Sequence, residues 1–202
     1  MIDSTFASAA EAFADLARRI SPEDWDGPGL GEWDLRSLVG HASRSLITVS
    51  TYLRTTADRE DVTSPVEYYT AIRDYLSNTG AGEVVERGRQ AGRDLGSDPV
   101  ATIDELLRTV LAELREVDDP LIAVFGGMGI RLSNYLPTRT FELAVHGLDI
   151  IGATGISATL PTEVLEDATV LAARVGVALG NGESVLMSLT GRTVLPDGFS
   201  VV

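Results

Sequence analysis

The sequence predicts a mainly α-helical fold, a helical bundle followed by a small C-terminal tail that contains strands. Apolar residues recur at every third or fourth position through most of the 202 residues, as they do in helices that bury one face. Capping residues and prolines precede several of these segments, and glycines follow them. Strand-like segments are short and few. Helices that each bury one apolar face typically pack together as a bundle.

Four helices are predicted in the first half of the chain. The first covers residues 4–20, where phenylalanine, leucine and alanine recur at helical spacing. A glycine-rich loop then leads to Asp34, which caps a long helix over residues 35–53. A serine and a proline start the third helix, over residues 65–76. The charged stretch 81–93 is predicted to be a helix that is only weakly anchored to the core.

The second half of the chain alternates between clear helices and one short apolar segment. Residues 100–117 show strong helical periodicity. Residues 121–125 are apolar and precede two glycines, which predicts either a loop or a single strand. A helix is predicted over residues 134–151, and another over residues 162–179 that ends at a glycine.

These patterns divide the chain into two parts. Residues 1–180 are expected to form one helical domain, which is long enough to bury a core without disulfide bonds. Residues 181–202 are expected to form a short tail. Within the tail, residues 184–189 and 199–202 flank a turn region and are predicted to pair as a β-hairpin.

Composition excludes several classes of function. The formal net charge of −14 argues against binding to nucleic acid or to anionic membranes. No stretch approaches the roughly 18 uninterrupted apolar residues of a transmembrane helix, and the first residues have neither the basic region nor the apolar core of a signal peptide. The chain contains no cysteine, so it has no thiol nucleophile of its own. A soluble, cytoplasmic protein is expected.

Both histidines of the chain lie on predicted helices that are largely apolar. His146 follows Glu142 by four residues, which places the two side chains one turn apart on the same helix face. His41 lies far upstream in the helix that Asp34 caps. If the two helices pack together, His41, Glu142 and His146 form a triad of two imidazoles and one carboxylate. Such a triad binds a divalent metal and leaves coordination positions open for a reactant.

The helix around His146 carries a polar stripe. Arg139, Glu142, His146 and Asp149 follow one another at spacings of three, four and three residues, and their neighbours are almost all apolar. Buried charges are costly unless they are paired or bound to a metal. The stripe therefore has two interpretations: a metal site, or a buried ion-pair network of Arg139 with Glu142 and His146 with Asp149.

The ligand types suit several divalent transition metals. Zinc would have three protein ligands and an open fourth position for water or substrate. Because no sulfur ligand is present, the same set also suits nickel, iron, manganese or cobalt. Arg139 or Asp149 would then contact one of the three metal ligands on the side away from the metal, and so orient it.

Two segments resemble motifs of a known family. Residues 33–41, W-D-L-R-S-L-V-G-H, resemble the W-x-[VL]-R-[DS]-L-x-x-H motif of the mycothiol-dependent maleylpyruvate isomerase family. Residues 139–149, R-T-F-E-L-A-V-H-G-L-D, resemble its R-x-x-E-x-x-V-H-x-x-D motif. The resemblance implies a DinB/YfiT-like four-helix bundle, and it assigns the metal ligands to His41, Glu142 and His146. The chain departs from the family at its tail, which is short for the full isomerase.

The resemblance implies an enzyme whose metal holds mycothiol, or another low-molecular-weight thiol, as a thiolate. The partners would be that thiol and a small-molecule electrophile, and the reaction a transfer or an isomerisation. Metal-activated water is an alternative nucleophile, giving hydrolysis. A non-catalytic metal-binding or interaction module of the DinB-like superfamily is the alternative function, and a member whose stripe is only structural is a third. A homodimer is also compatible with the sequence.

Overall fold

The computed structural model describes residues 4–76 and 81–201. Within these ranges the chain forms eight α-helices and two short β-strands. They are α1 (Ser4–Arg18), α2 (Leu35–Tyr52), α3 (Pro65–Leu76), α4 (Ala81–Asp94), α5 (Pro99–Arg115), β1 (Leu121–Ala123), β2 (Gly129–Arg131), α6 (Leu132–Thr154), α7 (Thr162–Ala178) and α8 (Gly182–Leu189). The mainly α fold predicted from the periodicity is confirmed. Asp3, which together with Ser4 is a candidate cap for the first predicted helix, lies outside the described ranges.

Four helices form the central bundle. Helix α1 packs against α5 and α6, and α2 packs against the same two helices. Their apolar faces meet in one continuous core, because each helix repeats apolar residues at the spacing that keeps them on one side. The side chains at its centre are almost fully buried and include Phe6, Phe13, Leu38, Leu46, Ile103, Val110, Leu143 and Ile150. None of the helices in the described ranges is long and apolar enough to cross a membrane.

Helix α4 is anchored more firmly than its charged sequence suggests. Gly40 of α2 faces Gly92 of α4 so closely that a Cβ atom on Gly40 would lie 2.3 Å from the Gly92 nitrogen. Gly88 lies against the ring of Trp33, whose Nε1 donates a hydrogen bond of 2.9 Å to the carbonyl oxygen of Val85. The prediction of weak anchoring was therefore wrong. Backbone contact through glycines leaves no trace in apolar periodicity, which records only side chains.

The two strands form a small antiparallel sheet directly before α6. Ile122 of β1 pairs with Ile130 of β2, and both side chains are fully buried. The turn between them includes Gly126, whose φ of 70° is accessible to glycine at little cost. Asp61 fixes this hairpin to the preceding segment, because its Oδ2 accepts a hydrogen bond of 2.9 Å from the Gly129 nitrogen. The segment 121–125, predicted as a loop or one strand, thus supplies the first strand of the only sheet in the described ranges.

The tail is helical where a β-hairpin was predicted. Residues 184–189 belong to α8, and residues 199–201 form no strand. The hairpin prediction was wrong because the first half of the tail is a helix that packs on α7 through only some of its apolar residues, while Leu186, Leu189 and Val194 remain exposed. Val185 and Val201 both lie against Gly176 of α7, where the missing side chain leaves room for them. Val202, at the end of the predicted second strand, lies outside the described residues.

Candidate metal centre

Helix α2 places His41 two turns from its N-terminus. The Oδ1 atom of Asp34 accepts a hydrogen bond of 2.7 Å from the Ser37 nitrogen, which fixes the start of the helix as predicted. Ser37 and Ser45, one turn before and one turn after His41, are both buried and small. These small residues leave space beside the imidazole.

Helix α6 places Glu142 and His146 opposite His41. The two residues lie one turn apart, and His146 Nε2 is 3.5 Å from Glu142 Oε2. The rings of His41 and His146 meet edge to face, with 4.9 Å between their centroids. One potential ligand atom from each of the three residues lies within 4.8 Å of the other two. The predicted convergence of the three side chains is therefore confirmed, since α2 and α6 are neighbours in the bundle.

Two carboxylates hold His146. Its Nδ1 lies 3.0 Å from Asp149 Oδ2, on the side of the ring away from Glu142. A carboxylate at Nδ1 favours the tautomer that carries its proton there, which leaves the Nε2 lone pair directed to the triad. Burial lowers the pKa of His146, but the hydrogen bonds and negative charges of Glu142 and Asp149 outweigh it and raise the pKa above its usual value.

Glu142 is held as a carboxylate. Its Oε1 accepts a hydrogen bond of 2.9 Å from the hydroxyl of Tyr69 on α3. Burial raises the pKa of Glu142, yet His146, Arg139 and Tyr69 together bring it down to about 2. An ionised carboxylate beside a neutral imidazole is the form that binds a divalent cation.

His41 is held by packing rather than by hydrogen bonds. The ring of Trp33 lies 4.7 Å from its own, centroid to centroid. Its Nδ1 is buried and has no hydrogen-bond partner among the described residues. Burial and the positive charge of a protonated His146 lower the pKa of His41 to about 4, and Arg44 and Arg87 add to this effect. The imidazole is therefore neutral near pH 7, as a metal ligand must be.

The sequence matches the family described as the mycothiol maleylpyruvate isomerase N-terminal domain over residues 6–151. That range holds the three converging residues and nearly all of the four helices of the central bundle. The chain belongs to this family. Searches of curated proteins and of solved structures found no significant match.

The polar stripe of this family member forms only half of the predicted ion-pair network. His146 pairs with Asp149, but within the described ranges no oxygen of Glu142 lies within ion-pair distance of Arg139. The Arg139 guanidinium instead stacks over the rings of Tyr68 and Tyr135, at 5.6 and 5.0 Å from their centroids. Asp149 therefore contacts a triad residue from behind, whereas Arg139 acts on Glu142 through its charge.

A cavity of about 520 Å³ opens beside the triad, between α2, α3, α4 and α6. Its lining includes Tyr52, Tyr68, Ile72, Val84 and Phe125, which give it apolar and aromatic walls. The lining also includes several residues that sequence reasoning missed: Tyr69, Arg44, Arg73 and Arg87. Only Arg44 left a signal in the sequence, because it follows His41 by three residues and so shares its helix face. Tyr69 and Arg73 lie on α3 and Arg87 on α4, and only the packing brings these helices to the cavity.

Proposed function

We propose that this chain is a divalent-metal-dependent enzyme whose co-substrate is a low-molecular-weight thiol. Its family points to mycothiol as that thiol. The enzyme either transfers the thiol to a small electrophile or uses the thiol to isomerise that electrophile. The observation that carries the proposal is the convergence of His41, Glu142 and His146 within 4.8 Å at the wall of a cavity large enough for a small molecule. A buried stripe that served structure alone would not need a cavity beside it.

The donor set fits a divalent cation. Two imidazole nitrogens and one carboxylate oxygen suit zinc first and nickel, iron, manganese or cobalt as well. The Nδ1 of His41 is buried and has no hydrogen-bond partner in the described part of the chain. Buried polar atoms normally have a partner, so the described protein groups leave this imidazole incompletely bonded. When bound, the cation would supply the positive charge that keeps the sulfur of a thiol co-substrate ionised.

The residues around the triad have distinct tasks in this proposal. Asp149 fixes the tautomer of His146, and Tyr69 fixes the direction of the Glu142 carboxylate. Trp33 packs on His41 and donates to α4, so it ties that ligand to the helix pair α2–α4. The aromatic walls exclude water from the thiol, which would otherwise solvate and weaken the nucleophile.

The reaction forms one carbon–sulfur bond. The ionised sulfur of the co-substrate donates an electron pair to the electrophilic carbon. In a transfer, the electron pair of the broken bond leaves with a halide or an epoxide oxygen. In an isomerisation, the π electrons of an alkene move onto its conjugated carbonyl, the remaining single bond rotates, and expulsion of the same sulfur restores the alkene.

Metal content and thiol-dependent turnover test the proposal together. Protein purified without a polyhistidine tag should contain about one divalent ion per chain by elemental analysis. It should then be assayed with mycothiol, glutathione and bacillithiol against maleylpyruvate, an aryl halide and an epoxide. Turnover that depends on both metal and thiol is the expected result.

Matched variants separate the site from general damage. Glu142→Gln should lose metal and turnover, whereas Glu113→Gln, which alters another half-buried carboxylate on α5, should keep both. A metal-containing protein that is inactive with every thiol and electrophile would favour the non-catalytic binding module instead. Protein that never retains a divalent ion would refute the proposal.

A further inference from the structure

The positive charges of this acidic chain are distributed unevenly. All 16 are arginines, and they face 30 carboxylates. Most described arginines that lie on the outer surface find a carboxylate within 4.0 Å. These are Arg18, Arg36, Arg54, Arg59, Arg89, Arg93 and Arg108.

The arginines of the cavity behave differently. Arg44 on α2, Arg73 on α3, Arg87 on α4 and Arg139 on α6 all line it. Among the side chains that the structure describes, which do not include that of Asp74, none of the four has a carboxylate oxygen within 4.0 Å. The one described carboxylate of the lining, Glu142, is already engaged by Tyr69 and His146. Four helices thus direct cations that have no described carboxylate partner to one cavity, in a protein with a net charge of −14.

Arg139 is the most firmly placed of the four. Its guanidinium stacks on Tyr68 and Tyr135, and its Nε donates a hydrogen bond of 3.0 Å to Thr138 Oγ1. These contacts fix the plane of the group without using its two Nη nitrogens, which have no hydrogen bond to another described residue. A fixed guanidinium with free N–H groups is prepared to bind a planar oxyanion through two parallel hydrogen bonds.

The other three arginines lie at the mouth of the cavity. Arg44, Arg73 and Arg87 are exposed, so they attract an anion from solution and pair with it weakly. Much of the remaining lining is apolar or aromatic, with Ile72 and Phe125 among it. The lining therefore suits a molecule that has an acidic group and an apolar body.

We propose that Arg139 binds the oxyanion of a small organic acid, a carboxylate or a phosphate, and that Arg44, Arg73 and Arg87 attract the same anion to the cavity. The inference rests on the proposed function in one respect, since it takes this anion to be the electrophilic substrate. The class of ligand itself follows from the unpaired arginines and not from the triad.

Three ligands that share a phenyl ring and differ in their acidic group test the inference. Benzoate, phenyl phosphate and methyl benzoate should be titrated into the protein before and after removal of bound metal, and followed by saturation-transfer NMR. At least one of the two acids should bind about tenfold or more tightly than the neutral ester, and the tighter acid identifies the group. Its affinity should fall as salt is added. Equal affinity for the acids and the ester would overturn the inference.

Arginine variants locate the binding. Arg139→Lys keeps the charge but loses the planar fork, and it should weaken acid binding about tenfold. The triple change Arg44→Gln, Arg73→Gln, Arg87→Gln alters exposed side chains only and should weaken binding several-fold at low salt. Arg89→Gln, on α4 but paired with Glu32 outside the cavity, should leave binding unchanged. Losses of equal size in the Arg89 variant would refute the assignment.

The binding assay requires no turnover, so its outcome is independent of the proposed function. Acid-selective binding in a protein without thiol-dependent activity would support the anion site and refute the enzyme. Turnover of neutral electrophiles, with no preference for acids in binding, would support the enzyme and refute the anion site.

Discussion

The two helices that form the triad hold their histidines by different means. On α6, His146 has Asp149 behind it and Glu142 beside it, and Tyr69 secures the glutamate. On α2, His41 has an aromatic ring against it and no hydrogen bond at its Nδ1 in the described part of the structure. The α6 side is organised by hydrogen bonds, and the α2 side by packing.

The same residue type consequently titrates in opposite directions on the two sides. Burial lowers the pKa of both histidines. On α6 two carboxylates reverse that effect, whereas on α2 the neighbouring charges are mainly cationic and reinforce it. The comparison shows that one buried site can keep one imidazole neutral through burial and orient the other through negative charge.

The largest expected effect comes from removing a ligand on the α6 side. His146→Ala should abolish stoichiometric metal binding and any thiol-transfer activity together, because two ligands bind a divalent ion far more weakly than three. The helical content should remain, since the bundle buries a large apolar core without the metal. Metal analysis, circular dichroism and rate measurements on both proteins test this. A variant that keeps full turnover without metal would contradict the mechanism.

The next largest effect should come from the hydrogen bond behind His146. Asp149→Asn should lower metal affinity by about 10- to 100-fold, because the imidazole loses its fixed tautomer and part of its basicity. Competition with a fluorescent chelator measures the affinity. Asp167→Asn, an exposed position on α7, is the matched control and should behave as the parent protein. An unchanged metal affinity in the Asp149 variant would contradict the view that hydrogen bonds organise the α6 side of the site.

A packing change should affect the α2 side selectively. Gly40→Ala would place a Cβ atom 2.3 Å from the Gly92 nitrogen, so α2 and α4 must move apart. We expect a loss of about 1–3 kcal/mol in the free energy of unfolding, with a shift of His41. Gly152→Ala has no atom within 4 Å of the added carbon and serves as the control. Urea denaturation of the three proteins tests the expectation, and equal stability would contradict it.

The smallest effects are the titrations of the two histidines. In metal-free protein, NMR should show two imidazole signals, one that titrates above 6.5 for His146 and one near 4 for His41. The stabilising effect of the raised pKa of His146 is complete below pH 6.5 and is lost as the pH rises through its folded value. The stabilising effect of a neutral His41 is present above pH 6.5 and is lost as the pH falls through about 4. Two coincident titrations would contradict the comparison.

Protonation also opposes metal binding, and most strongly at His146. Since its pKa is raised in the metal-free protein, protons compete there at a higher pH than at His41. Metal affinity should therefore fall as the pH drops through the raised pKa of His146. An affinity that stays constant from mildly alkaline to mildly acidic buffer would count against histidine ligation.

The sequence was sufficient to predict the bundle and the meeting of the triad. Helical spacing records which face each helix buries, so His41, Glu142 and His146 were predicted to converge from their positions on apolar helices. Tyr69, Arg73 and Arg87 escaped prediction because they lie on helices α3 and α4, whose placement depends on tertiary packing. The anchoring of α4 escaped for a related reason, since it depends on backbone contact at Gly40 and Gly92.

In the tail, the sequence predicted a β-hairpin that the described structure does not contain. Short apolar segments around a turn fit a hairpin and a helix equally well in the sequence. What decided between them was the surface of α7, where Gly176 receives Val185 and Val201. This contact with α7 is not encoded in the short segment itself, so the sequence of the tail alone could not choose between the two conformations.

The small sheet fixes the rotation of α6, the helix that carries Glu142 and His146, about its own axis. Strand β2 ends at Arg131 and α6 begins at Leu132, with no linker to absorb a rotation. The strand is held by β1 and by Asp61, so the first turn of α6 has one orientation about its own axis. One residue added at this junction would turn everything that follows by about 100° and carry Glu142 and His146 away from His41. The hairpin therefore determines which way each side chain of α6 faces, including those of Glu142 and His146.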